Sequence, residues 1–236
     1  MLRVYNTLSG KIEKFKPHEK QKVRMFTCGP SVYRRPHIGN YRTFLYEDLL
    51  QRYLEYLGYD VVRLISLTDI EDKAIVEAQK EEVTTKELAE RNRRIFTEDA
   101  KLLRMKGPTY AACMMACSST AVEETAKLIK ALLNEGYAYY YTYRSRRNVY
   151  FDPLKFAGFG RLSKLDMDRW PKKKRRFHRD TYVGTRWNRG DFILWHGYKK
   201  GDADHWDTEI GKGRPSWNIQ DAATITKYLG RSIDVA

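Results

Sequence analysis

Cys28-Gly29-Pro30-Ser31-Val32-Tyr33, followed by Pro36-His37-Ile38-Gly39-Asn40, brings a thiol, an imidazole and a carboxamide together in one short stretch. The stretch reads as the end of a strand passing through a Gly/Pro turn into the N-terminus of a helix. The first N–H groups of a helix have no partner inside it, and its dipole is positive at that end, so phosphate is favoured there. Such a group suits a nucleoside triphosphate and a second substrate side by side. Read alone, His37 is equally an ordinary helix-start histidine, and Cys28 a buried thiol at a strand end.

These residues need elements to hold them. Residues 23–28 read as a buried strand. Residues 41–57 carry Phe44, Leu45, Leu49, Leu50, Tyr53, Leu54 and Leu57 at helical spacing, with Gly58 as the stop. Residues 61–67, rich in branched side chains, read as a second strand. Strand, helix and strand at this spacing form a βαβ unit, which implies α/β architecture and a parallel sheet. Thr84-Thr85 opens another helix reaching about Met105, broken by Gly107-Pro108. Residues 118–135 form a further helix stopped by Gly136. Residues 137–142 and 148–151 pair as a hairpin around a basic turn, and 152–190 are turn-rich. Residues 217–229 are a helix ended by Gly230, and 232–235 begin a short last strand.

Several collinear motifs resemble class I aminoacyl-tRNA synthetases, in particular the N-terminal half of the cysteinyl type. His37-Ile38-Gly39-Asn40 resembles the first class I signature, and Cys28-Gly29-Pro30 the run that precedes it in that type. Tyr5-Asn6-Thr7-Leu8, Arg42-Thr43-Phe44, Thr68-Asp69-Ile70-Glu71-Asp72-Lys73, Asp191-Phe192-Ile193-Leu194-Trp195 and Gly213-Arg214-Pro215-Ser216-Trp217 continue the match in order. The resemblance implies a Rossmann-type (HUP-like) catalytic domain. Its first half would span residues 1–110, a connective-peptide-like insertion 111–210, and a return segment 211–236.

The resemblance also implies chemistry: an amino-acid carboxylate attacks the α-phosphate of Mg-ATP, and pyrophosphate leaves. Positioning and hydrogen-bond donors dominate such a reaction. Gly29, Pro30, His37, Gly39 and Asn40 would form the nucleotide site, with His37 and Asn40 as the catalytic pair. Gly39 would let adenine approach the backbone. Cys28, Tyr33, Thr68, Asp69, Trp217, Asn218 and Asp221 would line the amino-acid pocket. Thr68 or Asp69 could instead cap a helix, and Trp217 could be core.

In the family Cys28 would be one of four zinc ligands. Ser216-Trp217-Asn218-Ile219-Gln220-Asp221 places Asp221 where the family has its second cysteine, and the remaining ligands have no counterpart. Cys28 is therefore a weak candidate and zinc is not expected. Cys113 and Cys117, one helical turn apart, read as core beside Met114 and Met115. The second class I signature, a Lys-Met-Ser-Lys-Ser-type loop, has no counterpart, which removes cations from the pyrophosphate at roughly 1.4 kcal/mol per tenfold in rate. Three readings follow: an ATP-binding, amino-acid-activating ligase; a non-catalytic paralogue that binds tRNA or another RNA; or half of a split synthetase completed by a second chain.

The chain carries 44 Lys+Arg against 30 Asp+Glu, a net charge of +14. Residues 141–190 hold 15 Lys and Arg against 4 Asp, including Lys172, Lys173, Lys174, Arg175 and Arg176. Tyr141, Tyr143, Trp170, Phe177, Tyr182 and Trp187 interleave with them. Cations neutralise phosphates and rings stack on unpaired bases, so this stretch reads either as an RNA contact or as a solvated charge run. No apolar run reaches membrane-spanning length. Three cysteines are too few and odd for a disulfide framework, which points to the cytoplasm.

Overall fold

A computed structural model describes residues 2–113, 119–169 and 191–236. Trp170, Lys172, Lys173, Lys174, Arg175, Arg176, Phe177, Tyr182, Trp187, Met114, Met115 and Cys117 lie outside the described residues, as do the side chains of Cys113 and Asn218.

A small antiparallel hairpin, β1 (Arg3–Asn6) and β2 (Lys11–Lys14), opens the chain. The predicted βαβ unit follows. Strand β3 (Lys22–Ser31) and strand β4 (Asp60–Thr68) are parallel, joined by helix α1 (Ile38–Tyr56). Helix α2 (Asp72–Lys80), which the sequence reading missed, and helix α3 (Thr85–Leu102) lead to β5 (Tyr110–Cys113). That strand adds parallel to β4, so a boundary at 110/111 falls inside a strand of the first sheet. Residues near the end return beside β3: Met25 and Val235 form a parallel bridge, and the Phe26 N–H donates to the Val235 carbonyl at 2.9 Å. The spatial order is thus Val235, β3, β4, β5, and the direction of strand addition switches at β3. Open parallel sheets bind ligands at the carboxyl ends of strands beside such a switch.

Helix α4 (Ser119–Asn134) crosses to a second, antiparallel sheet of β6 (Ala138–Tyr143), β7 (Arg146–Phe151), β8 (Phe192–Gly197) and β9 (Gly213–Pro215). The predicted hairpin is β6–β7. Its turn residues Arg144 and Ser145 have φ of 49° and 64°, the paired left-handed geometry that matches strand twist in a two-residue hairpin. Helix α5 (Trp217–Tyr228) then packs on both β4 and β8. One apolar cluster runs through both sheets, from Phe26, Leu64 and Leu67 through Val122 and Ile129 to Val149 and Trp195. Each such side chain, fully buried, is worth about 1.5–3 kcal/mol.

The buried face of α1 differs from its apolar spacing. Tyr41, Phe44, Asp48, Gln51 and Leu54 face inward, while Leu45, Leu49 and Tyr53 are exposed. The cause is Arg63, which lies mid-strand in β4 and is only 1% exposed. Its guanidinium donates to Glu47 at 2.9 Å, to Thr27 Oγ1 at 3.1 Å and to Gln51 Oε1 at 3.3 Å. A buried cation requires polar partners, so α1 turns carboxylate and amide toward the sheet there. Asp48 accepts from Arg52 Nε at 2.7 Å and from the Lys106 backbone N–H at 2.6 Å, which ties α1 to the segment after α3.

Candidate functional site

Strand β3 ends irregularly: its register on β4 shifts between Cys28 and Ser31. Gly29 presses against β4, where a Cβ would lie 2.3 Å from the Ser66 carbonyl oxygen. Gly29 therefore has a packing reason to be glycine, and Pro30 beside it is buried. Cys28, in contrast, is exposed, so the reading of a buried thiol does not hold. Desolvation, then Asp221, then Glu47 push its thiol pKa upward. Asp221, in the first turns of α5, is the charge that contributes most to this after desolvation.

The approach to α1 is pinned from two sides. The Val32 N–H donates to the Thr68 carbonyl at 2.8 Å, and Asn92 of α3 donates to the Val32 carbonyl at 3.0 Å. Arg35 and the Tyr41 hydroxyl both donate to Asp99, at 2.7 and 3.0 Å. Tyr41, Phe44 and Phe96 pack as an aromatic trio with centroids 5.5–6.0 Å apart. Tyr33 is half-buried, with the Arg34 guanidinium over its ring.

His37 is the N-cap of α1. Its Nδ1 accepts from the Gly39 N–H at 3.0 Å, while the Asn40 Oδ1 accepts from the His37 N–H at 3.0 Å. This reciprocal arrangement is a capping box in which histidine and asparagine take the usual roles of serine and glutamate. His37 Nε2 and Asn40 Nδ2 enter no hydrogen bond among the described residues. Gly39 has a local reason too, since a Cβ would sit 2.8 Å from His37 Cε1 and disturb the cap.

Thr68 and Asp69 follow the end of β4. Neither caps α2, whose N-cap is Glu71 without a side-chain bond, so that alternative is corrected. Asp69 is buried and Thr68 half-buried. The Ser31 hydroxyl bonds to Glu71, linking the ends of β3 and β4. Trp217 is 40% exposed at the start of α5, which excludes the reading of it as core.

Sequence reasoning missed the residues that support this constellation. The Ser66 hydroxyl hydrogen-bonds to Asp221. Gln220 donates to the Ile70 carbonyl at 2.8 Å, while its Oε1 has no hydrogen-bond partner among the described residues. Arg214 pairs with Asp72, tying β9 to α2. Arg214, Asp72 and Gln220 lie within motifs quoted above and Ser66 near the end of a predicted strand, but their pairing across the chain had no sequence signal.

Burial raises the Asp221 carboxyl pKa, and the Ser66 bond only partly offsets this. A carboxyl whose folded pKa lies above its unfolded value costs stability once the unfolded chain ionises. Asp221→Asn is therefore expected to stabilise the chain at neutral pH. The gain should be absent below about pH 3.9, grow as pH rises toward the folded pKa, and then level off. Urea titrations of both proteins from pH 3.5 to 8 measure it. A pH-independent difference would show that Asp221 ionisation has no part.

Among the described residues no three His, Cys, Asp or Glu side chains come together as a metal donor set. Cys28 and Asp221 alone do not fit a structural zinc site, which takes four ligands.

The model for tRNA synthetases class I (C) catalytic domain matches residues 14–236. A cysteine–tRNA ligase of Thermococcus gammatolerans is 39% identical over 234 residues, covering 99% of this chain and 46% of the relative. One from Lactobacillus helveticus is 37% identical over 234 residues, covering 99% and 48%. The chain thus spans about half the length of the curated relatives it matches. A Mycobacterium tuberculosis methionyl-tRNA synthetase, solved in complex with methionyl-adenylate, superposes with a TM-score of 0.61 at 12% identity, covering 89% of this chain and 47% of that one. That likeness bears on the fold and agrees with a Rossmann-type parallel sheet. This chain belongs to the class I tRNA synthetase family, as a catalytic domain of the cysteine type.

Proposed function

We propose that this chain binds Mg-ATP and an amino acid side by side at the strand ends of β3 and β4 and supports formation of an aminoacyl-adenylate in the cytoplasm. His37, Gly39 and Asn40 hold the phosphates and adenine at the α1 N-terminus, with Gly29 and Pro30 shaping the approach. Cys28, Tyr33, Thr68, Asp69, Trp217, Asn218 and Asp221 surround the amino acid. The observation that carries the reading is the meeting of an exposed thiol, a desolvated carboxyl and a capped helix N-terminus at one topological switch. A carboxyl desolvated beside the pocket favours a substrate side chain that is polar or cationic. No step is routed through zinc, because Cys28 and Asp221 are the only donors that the described residues bring to this point.

The test is amino-acid-dependent ATP–pyrophosphate exchange with each of the twenty amino acids. Exchange with at least one supports the proposal. No exchange, together with no ATP binding by calorimetry, sinks it.

A second reading has its own observation. Ile38, Leu45, Tyr46, Leu49, Tyr53 and Tyr56 leave an exposed apolar face on α1, with Leu49 61% and Tyr56 84% exposed. Large exposed apolar faces mark interaction surfaces. This face suits a polypeptide equivalent to the remaining half of the relatives, which would supply the second signature loop. Exchange that appears only when that polypeptide is added would favour this reading.

tRNA or another RNA is the third partner, contacted through Lys172, Lys173, Lys174, Arg175 and Arg176. The β6–β7 hairpin offers further contacts, since Arg147 lies 4.0 Å from the Tyr140 ring centroid. Binding should fall roughly 10²- to 10³-fold between 50 and 200 mM salt for about five phosphates neutralised. Replacing the five-residue run by alanine should flatten that slope. Filter binding measures both, and salt-independent binding would exclude this contact.

A further inference from the structure

The geometry points to a second anion site, at the opposite end of the parallel sheet from Cys28. A cavity of about 630 Å³ opens where β2 passes into β3 and α1 ends. Lys14, Lys16, His18 and Lys20 line it, over a floor that includes Phe15 and Tyr59. No acidic side chain lines it. The nearby Glu19 is engaged by Arg24. None of the three lysines forms an ion pair among the described residues, so their ammonium groups are available to a ligand, with the Asp234 carboxylate held on the His18 and Arg24 backbone N–H groups rather than on a lysine.

The backbone carrying these cations is fixed. Asp234 accepts from the His18 and Arg24 N–H groups, each at 2.7 Å. The Gln21 carbonyl accepts from the Asp60 N–H at 2.7 Å, with Gln21 held at φ 67°. Phe15 is buried edge-to-face on Tyr59, with centroids 5.8 Å apart. Lysines on a held loop converge on a ligand at little cost in backbone ordering. The volume matches a small molecule, since such sites run from about 300 to 1,000 Å³. Compact lysine ammonium groups suit phosphate as point charges. We therefore assign the hollow to a small anion carrying two or more phosphates, bound independently of the α1 N-terminus.

Tripolyphosphate is the probe, titrated calorimetrically at 50 mM salt into the full chain with residues 172–176 replaced by alanine. That background removes the other basic cluster. Binding should persist there and in an added His37→Ala variant. It should weaken at least tenfold when Lys14→Gln, Lys16→Gln and Lys20→Gln are combined, and about threefold with Lys16→Gln alone. The lysines are exposed, and unchanged circular dichroism verifies that the triple variant folds. Equal affinity in the triple variant overturns the assignment. So does loss of binding with His37→Ala, or binding of a 15-nucleotide RNA without binding of tripolyphosphate.

Discussion

Replacing His37 by alanine should weaken ATP binding by about 10- to 100-fold, the loss of one hydrogen bond to a charged phosphate. The same change removes the N-cap of α1 and lowers stability by about 1 kcal/mol. The two effects separate with His37→Asn. Asparagine is a good N-cap, so stability should return while ATP affinity stays low. Calorimetry gives the affinities and urea unfolding the stabilities. If His37→Asn binds ATP as tightly as the wild type, the imidazole belongs to the helix and not to the nucleotide. Amino-acid-dependent exchange should follow the same order, because a donor aimed at developing phosphate charge acts mainly in the transition state.

Glu47→Ala should cost about 3–5 kcal/mol of folding stability, the largest single effect expected outside the apolar core. The substitution leaves the Arg63 guanidinium buried with Thr27 and Gln51 but without its carboxylate. Desolvation raises the Glu47 pKa even though Arg63 opposes it, so burial outweighs attraction at this pair. Replacing both partners by apolar residues of similar size, Glu47→Leu with Arg63→Met, should recover most of the loss. Urea midpoints for the wild type, the single variant and the double variant measure this. A loss below about 1 kcal/mol for Glu47→Ala would show that Arg63 is satisfied by its neutral partners.

The pair also bears on the site. Glu47 pairs with Arg63 and, after desolvation and Asp221, also contributes to raising the Cys28 thiol, so the charge state of α1 is felt at the strand end. Removing Glu47 should therefore lower the Cys28 pKa as well as the stability.

The βαβ unit, the hairpin and the presence of a helix start near His37 were readable as sequence because each depends on near neighbours, whereas the cap itself was seen only in the structure. Branched runs make strands. Gly58 and Gly136 stop helices in left-handed geometry, at φ of 88° and 75°. His37 and Asn40 close a cap three residues apart. The candidate site residues near Cys28 were named from motifs that occur in one order along the chain.

Tertiary structure alone decided the rest. Strand β5 is four residues long and gains its identity only by adding to β4. Helix α1 exposes leucines that its spacing would bury, because Arg63 on another element demands Glu47 and Gln51 on the inner face. Asp221 becomes a desolvated partner of Cys28 only when α5 lays it against Ser66, across 155 residues of chain between Ser66 and Asp221. Local patterns record what a segment prefers. A buried charge or a long-range contact is settled by whatever the fold brings against it.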